Sequence, residues 1–311
     1  MKTHLRSLPP ETSNLLLKDS ISPLPLHKSL VLLETIERHK DERFYKHERL
    51  ALAKALVFCI SNLHFGPEVG VGPAKKDTPV ISAWLKNVRT MTDDLRVLGD
   101  NAHVQSKVYC ADARDLGAVL PPHSIDAVIT SPPYPNEKDY TRTTRLESVL
   151  LGFIQNKQDL RQLKQNLLRS NTRGVYKSDQ DDSLVADNEE IQCIAAAIER
   201  RRVELGKNSG FERLYSRVTK LYFGGIVRHL SALRTVLRPG AKLAYVVGDQ
   251  ASYLRVMIRT GQIIAQLAQN LGYEVIDIEL FRTRLATATR EQLREEVVLL
   301  RWPYKGSIHK A

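Results

Sequence analysis

The length, composition and charge of the chain limit the kinds of protein it can be. It contains 311 residues, of which 42% are hydrophobic and 26% are charged. This composition provides for a packed core and argues against global disorder, and the length suits one large α/β domain with an appendage or two small domains. The net charge of +11 favours a polyanionic partner such as nucleic acid, although a moderately basic chain can also be basic only for solubility.

The cysteines, histidines and N-terminus indicate neither a metal site nor export. The three cysteines, Cys59, Cys110 and Cys193, are far apart and form no Cys-x-x-Cys pair, so reduced thiols are expected rather than a zinc site. The histidines show no metal-ligand spacing. No signal peptide is recognisable, and the apolar stretch Leu50–Ile60 is too short to span a membrane. These features predict a cytoplasmic protein without a metal.

The first hundred residues form a mainly helical N-terminal region in this prediction. Residues 26–63 have apolar side chains at helical spacing, and a second helix is predicted over Val80–Leu98. The basic stretch Arg38–Arg49 lies within the first of these, where a solvated helix face is slightly preferred to a DNA contact. The Gly- and Pro-rich segment Phe65–Val80 follows no recognisable strand and is expected to be a structural or DNA-facing loop.

An α/β pattern begins at Lys107 and makes residues 101–311 the predicted catalytic region. It is interrupted by a polar, helical insertion at about residues 155–235. No helix is predicted between the last two strands, which therefore form an antiparallel hairpin. The expected strands are Val108–Cys110, Asp126–Thr130, Leu243–Val247, Tyr273–Phe281 and Glu296–Trp302.

One segment, Asp126–Tyr134, carries most of the chemical information. The apolar run Ala127–Ile129 predicts a buried parallel strand. It ends in Ser131-Pro132-Pro133-Tyr134, where the two prolines lack N–H donors and fix a stiff turn. Open α/β sheets bind ligands at the carboxyl ends of their strands. A hydroxyl, carbonyl oxygens and an aromatic ring gathered there suit an exocyclic amino group on a flat base.

This segment resembles the catalytic motif of the S-adenosylmethionine-dependent DNA amino-methyltransferases. The resemblance covers roughly residues 107–302. In that family the Ser form is commonest among N4-cytosine enzymes and an Asp form among N6-adenine enzymes. The resemblance implies an α/β fold with a Rossmann-like class I methyltransferase sheet, here with a helical N-terminal extension and a helical insertion. It also implies S-adenosyl-L-methionine as cofactor and DNA as substrate, with N4 of cytosine favoured over N6 of adenine.

The motif residues have distinct expected roles. The Ser131 hydroxyl and the Pro132 carbonyl accept hydrogens of the target amino group, with Pro133 completing the rigid turn, and this orients the nitrogen without a covalent intermediate. Tyr134 stacks on a base that has left the duplex. Methylation at C5 of cytosine needs a thiolate, and no cysteine lies in such a turn, so that reaction is excluded.

Two further residues are expected on the cofactor side. Asp112 ends the predicted strand before the catalytic one, where the family often has an acidic residue that binds the adenine amino group of the cofactor. Asp115 is the near competitor, or caps the following turn. Thr130, at the end of the catalytic strand, is also assigned to the cofactor.

Candidate DNA contacts follow the turn and recur near the C-terminus. The alternative for each group is a solvated loop. Gly248-Asp249-Gln250 ends another strand and lies near the site or caps the next helix. Arg282, Arg284, Arg290 and Arg294 are expected on a long loop of the final hairpin, where arginines suggest phosphate contact. The residues assigned to DNA are Asn136, Lys138, Tyr140, Arg142, Arg145, Arg282 and Arg284.

The resemblance fails at one place. The family carries a Gly-rich cofactor motif, Asp-Pro-Phe-x-Gly-x-Gly-Thr or similar, and it is absent from the 311 residues. The sheet would then be incomplete, and the isolated chain is expected to bind the cofactor weakly or not at all. Three explanations compete: a second polypeptide supplies the Gly-rich half, the gene product is truncated, or the N-terminal region binds the cofactor unconventionally. The first two are favoured. RNA amino-methylation and a non-catalytic or half subunit remain alternative functions.

Overall fold

The structure is a computed structural model that describes residues 4–66, 68–99, 104–136, 138–285 and 292–303. The chain forms two compact units. The first comprises residues 1–108 and 140–164, and the second comprises residues 109–139 and 165–311. The sequence prediction had kept residues 140–164 in the catalytic region.

Helices dominate the first unit. Its one sheet among the described residues is a small antiparallel hairpin of β1 (Leu63–Phe65) and β2 (Val69–Val71), which overlaps the segment Phe65–Val80 expected to be a loop. The helical stretch predicted over residues 26–63 is interrupted between Arg38 and Tyr45. The helices up to residue 165 are α1 (Pro10–Ser13), α2 (Pro23–Arg38), α3 (Tyr45–Ala55) with a π-helical turn (Leu56–Ile60), α4 (Val80–Leu98), α5 (Tyr140–Thr143), α6 (Arg145–Leu150) and α7 (Lys157–Gln165).

Apolar burial explains why α6 belongs with the N-terminal helices. Leu146 and Leu150 of α6 are almost fully buried in one cluster with Leu52 and Leu56 of the α3 segment. Each such leucine contributes about 1.5–3 kcal/mol when it is removed from water. Arg49 of α3 also donates a hydrogen bond to the Leu151 carbonyl.

The second unit contains a four-stranded mixed sheet in the order β3-β4-β6-β5. β3 pairs in parallel with β4, and β4 with β6 and β6 with β5 pair antiparallel, which confirms the predicted final hairpin. Short 3-10 turns occur at Leu116–Ala118, Thr172–Gly174, Asp181–Val185 and Glu212–Leu214. The elements are β3 (Ile125–Thr130), α8 (Glu189–Glu204), α9 (Tyr215–Val236), β4 (Leu237–Gly248), α10 (Thr260–Asn270), β5 (Glu274–Leu285) and β6 (Gln292–Arg301).

One face of this sheet is buried beneath α9 and α10. Alternate residues of β4, namely Leu243, Tyr245 and Val247, share that face and belong to a core cluster with the apolar residues of both helices. Because Tyr245 is buried, its hydroxyl cannot bond to water and needs a partner in the protein. Nε2 of His229 in α9 lies 2.8 Å from this hydroxyl. Burial lowers the pKa of His229, so the ring contacts Tyr245 as neutral imidazole.

The strand predicted at Val108–Cys110 is wrong. The structure shows no regular secondary structure there, and Val108 is 97% exposed. A strand needs a neighbour for its backbone groups, and none of the described strands lies beside this segment. Likewise, none of the described helices combines the length and apolar character needed to cross a membrane.

Gly224 in α9 provides a test of the packing in this unit. A Cβ at this position would lie 1.7 Å from the backbone oxygen of Asp181, so Gly224→Ala must displace the Asp181–Val185 turn or the helix. We expect a loss of about 3 kcal/mol in the free energy of unfolding, measured by chemical denaturation. Gly210→Ala is the control, because a Cβ there meets nothing within 4 Å. Equal stability of the two variants would contradict the packing.

Candidate active site

The Ser-Pro-Pro-Tyr turn lies at the carboxyl end of β3. Thr130 is the last residue of the strand, Ser131 is exposed, and the next three residues are half-buried. Within the part of the chain that the structure describes, no hydrogen bond engages the Ser131 hydroxyl or the Pro132 carbonyl. Both oxygens are therefore available to accept hydrogens from a ligand.

The parallel pairing of β3 with β4 brings a second strand end to this turn. Thr130 is paired with Tyr245, so the last residue of β4, Gly248, lies at the same edge. A Cβ on Gly248 would be 2.9 Å from Cε2 of Tyr134. The ring of Tyr134 therefore lies directly on the glycine backbone. Of the two alternatives for Gly248-Asp249-Gln250, the structure favours a place near the site.

Three buried carboxylates belong to the ends of β4 and β6 near this contact. Glu295 of β6 is paired with Gly248, and its Cγ would be 3.3 Å from a Cβ there. Asp249 is buried and its Oδ2 is 2.5 Å from Nη1 of Arg259. Glu296 is also buried, and burial raises its pKa even though Arg294 lies 2.8 Å away. Arginines at this edge of the sheet are thus paired with buried carboxylates.

The arginines expected on a long loop lie in the strands instead. Arg282 and Arg284 are in β5 and Arg294 is in β6, because the hairpin strands extend further than predicted. Nε of Arg282 is 2.5 Å from Oε2 of Glu295, and Nε of Arg284 is 3.6 Å from its Oε1. These cations are held by a carboxylate next to Tyr134. Arg290 lies outside the described residues.

The residues after the turn form a hydrogen-bonded loop. The Asn136 N–H donates to the Tyr134 carbonyl at 2.8 Å, and the Lys138 N–H donates to Oδ1 of Asn136 at 3.0 Å. The Lys138 side chain is exposed. The loop is therefore shaped by its own polar groups, and it presents a cation to solvent.

Three of the predicted DNA contacts belong to the first unit. Tyr140 is exposed, whereas the Arg142 side chain is partly buried. The Arg145 guanidinium donates to the carbonyl of Leu15 and to the carbonyl and hydroxyl of Thr141. These bonds use Arg145 to hold α6 in place, which competes with its predicted role as a phosphate contact.

Asp112 is engaged by a neighbouring arginine. Arg114 donates to both Asp112 oxygens and, through Nη1, to Asp181 at 2.7 Å. Burial opposes ionisation of Asp112, but the hydrogen bonds from Arg114 outweigh it and lower the pKa. Asp112 therefore presents an ionised carboxylate. Asp115 is exposed and its side chain does not cap the following turn.

The sequence reasoning missed a buried polar run beside the loop. Residues Arg169, Ser170, Asn171 and Thr172 are all buried, although they lie in the insertion predicted to be polar and helical. Four consecutive polar residues carry no burial signal in a single sequence, so pattern reasoning could not find them. Among the described residues, no group of three or more His, Cys, Asp or Glu is placed to hold a metal ion.

The contact between Tyr134 and Gly248 can be tested directly. Gly248→Ala must move the Tyr134 ring, because the new methyl group would lie within 3 Å of it. We expect the Tyr134 resonance to shift in ¹⁹F NMR of protein labelled with 3-fluorotyrosine, with Tyr134→Phe assigning the signal. Gly117→Ala, at a position with open space around it, should leave the resonance unchanged. An unshifted Tyr134 signal in Gly248→Ala would rule the contact out.

Solved structures give a weak match. A crystal structure of a protein described as a "putative DNA modification methylase" from Thermus thermophilus covers 65% of this chain and 55% of its own, with 16% identity and a TM-score of 0.31. A crystal structure of the same protein with S-adenosyl-L-methionine gives the same TM-score. At this score the match carries no weight for the fold.

No family model matches the chain. Curated proteins give a stronger match than the solved structures do. The chain is 31% identical over 192 residues to the type II methyltransferase M.AvaI of Nostoc sp. and of Anabaena variabilis, covering 57% of this chain and 38% of each relative. It is 29% identical over 197 residues to M.BsoBI of Geobacillus stearothermophilus, covering 58% of this chain and 37% of that relative. The chain thus spans well under half the length of these relatives. Over the matched region the chain is similar to these type II methyltransferases, which supports the resemblance predicted from the sequence.

Proposed function

We propose that this chain carries the target-base half of a DNA amino-methyltransferase. The observation that supports this function is the pair of free acceptors, the Ser131 hydroxyl and the Pro132 carbonyl, next to the half-buried Tyr134 ring. The related type II methyltransferases support the reaction class. The reaction is transfer of a methyl group from S-adenosyl-L-methionine to an exocyclic amino group.

The chemistry of the target explains why these groups are needed. The lone pair of an exocyclic amino nitrogen is delocalised into the base and is a poor nucleophile. Two acceptors that bind its hydrogens hold the nitrogen in a fixed direction and favour its pyramidal form. Tyr134 offers a ring face for stacking of the extruded base. The backbone of Gly248 contacts the ring and limits its position.

The target base is assigned from the motif. Ser131 favours N4 of cytosine over N6 of adenine, because the Ser form of the motif is the commoner one among N4-cytosine enzymes. The three cysteines do not offer a nucleophile for C5 methylation, because none belongs to this turn. Lys138, Arg282 and Arg284 are then proposed to approach phosphates, with Glu295 holding both arginines.

The described residues fit the cofactor only in part. The ionised Asp112 carboxylate can accept hydrogens from an adenine amino group, and Thr130 lies at the end of the catalytic strand. S-adenosyl-L-methionine would supply the methyl group when bound. The Gly-rich backbone that receives the rest of the cofactor in the family has no counterpart in the sequence.

A second polypeptide segment that carries this Gly-rich half is therefore part of the proposal. The free edge of β3 supports it: β3 pairs only with β4 among the described strands, and Ile129 on it is 85% exposed. Strands of parallel sheets are normally covered on both faces, and an open apolar edge favours pairing with another chain.

A methyl-transfer assay tests the function. The chain is assayed together with the polypeptide that carries the Gly-rich half. Ser131→Ala removes one of the two acceptors, and we expect at least a ~100-fold loss of methyl incorporation from labelled S-adenosyl-L-methionine into DNA. Ser106→Ala, at an exposed serine outside the turn, should retain the activity. Equal activity of Ser131→Ala and the parent protein would exclude this site.

Nucleoside analysis of the products decides the substrate. N4-methylcytosine in DNA is expected, N6-methyladenine would reassign the base, and modification of RNA alone would replace DNA methylation by the RNA alternative.

Cofactor binding tests the need for a second segment. We expect isothermal titration calorimetry with S-adenosyl-L-methionine to give no binding, or a Kd well above the micromolar range, because the Gly-rich cradle is missing. Micromolar binding that is lost in Asp112→Asn would refute the need for a second segment and support the role of Asp112.

A further inference from the structure

A chain of three hydrogen bonds leads away from the Ser-Pro-Pro-Tyr turn. The Tyr134 carbonyl accepts from Asn136, and Oδ1 of Asn136 accepts from Lys138, as described above. The third bond leaves the loop: Nδ2 of Asn171 donates to the Lys138 carbonyl at 3.2 Å. The conformation of the loop therefore depends on a side chain 33 residues further along the chain.

Asn171 is buried, with 8% of its surface exposed. Its donor is used by Lys138, and its Oδ1 has no hydrogen-bond partner among the described residues. Because a carbonyl can only accept, the bond to Lys138 also fixes which end of the carboxamide faces the loop. A buried side-chain amide whose oxygen has no hydrogen-bond donor lowers the stability of the fold. Such an exception to ordinary packing is expected where a residue is kept for function.

The segment around Asn171 is held rigidly. Arg169 donates through Nε and Nη2 to the two oxygens of Asp179 at 2.9 and 2.8 Å, in a buried bidentate pair. The Ser170 carbonyl accepts from the hydroxyl of Tyr253 at 2.9 Å. Tyr253 is fully buried and stacks on Tyr215. Tyr253 lies in the segment that follows β4, so the Asn171 segment is bonded to both chain segments that leave the candidate site.

We propose that Asn171 is a positioning residue, whose carboxamide holds the Lys138 carbonyl and thereby fixes the loop that follows the Ser-Pro-Pro-Tyr turn. The catalytic consequence rests on the proposed function, whereas the clamp itself does not. With the clamp in place, Asn136 and Lys138 keep one arrangement next to Tyr134. Without it, the loop must be ordered by the substrate, at the expense of the chemical step.

Hydrogen exchange measured by mass spectrometry tests the clamp without any activity. In Asn171→Ala, we expect the amides of Asn136 and Lys138 to exchange about five- to tenfold faster, because one hydrogen bond of ordinary strength is lost. Asn171→Asp should do the same. It keeps the size of the side chain but has no N–H donor, so it separates the loss of the bond from the loss of packing.

Asn188→Ala is the matched control for stability. Asn188 caps α8 by accepting from the Ile191 N–H at 3.0 Å, so its loss weakens the same unit at a different place. We expect unchanged exchange at Asn136 and Lys138 in this variant. Unchanged exchange in both Asn171 variants, or an equal increase in Asn188→Ala, would overturn the proposal.

Steady-state kinetics test the catalytic consequence. Asn171→Ala should lower kcat for methyl transfer about tenfold or more while KM for DNA stays within about twofold, because binding contacts are kept and only alignment is lost. A change in KM alone would contradict a positioning role. If the parent protein transfers no methyl group even when the Gly-rich half is supplied, the proposed function fails, and the exchange experiment alone decides whether Asn171 clamps the loop.

Discussion

The parallel pairing of β3 with β4 is the constraint on which the candidate site depends. Parallel strands end at the same edge of a sheet, so the register of Thr130 against Tyr245 fixes how far the Ser-Pro-Pro-Tyr turn stands from Gly248. A shift by one residue would turn every side chain of β3 to the opposite face. Burial of Leu243, Tyr245 and Val247 under α9 and α10 keeps β4 in place, and apolar packing far from the turn thereby sets the position of Tyr134.

At this edge of the sheet, the arrangement of the arginines depends on buried carboxylates more than on the total number of charges. The chain has a net charge of +11, yet several arginines around the site are matched by carboxylates that are themselves buried, among them Asp249, Glu295 and Glu296. A buried carboxylate is stabilised by a cation and holds that cation in one direction. The arginine side chains are thus held in fixed orientations. The positive potential around them is weaker than the net charge of the chain implies.

Some of this arrangement follows from the sequence and some does not. The motif predicted a strand end, a rigid turn and the family, because prolines and apolar runs act locally. The helix Val80–Leu98 and the final hairpin were predicted for the same reason. The burial expected for Ala127–Ile129 was wrong, since none of these three residues is buried. The strand at residues 108–110 was wrong because pairing depends on a distant neighbour. The roles of Asn171 and Glu295 were missed because burial of a polar side chain is decided by residues remote in the chain. The predicted roles of Ser131, Pro132, Pro133 and Tyr134 themselves stay predictions.

The close approach of Tyr134 to Gly248 couples two positions that are far apart in the chain. The ring occupies the volume in which any side chain at 248 would begin. A larger residue at 248 is therefore tolerable only if the side chain at 134 is smaller or tilts. The effects of substitutions at the two positions should therefore depend on each other. A smaller side chain at position 134 alone would leave a void above the glycine, whereas a change at both positions together can be compensated.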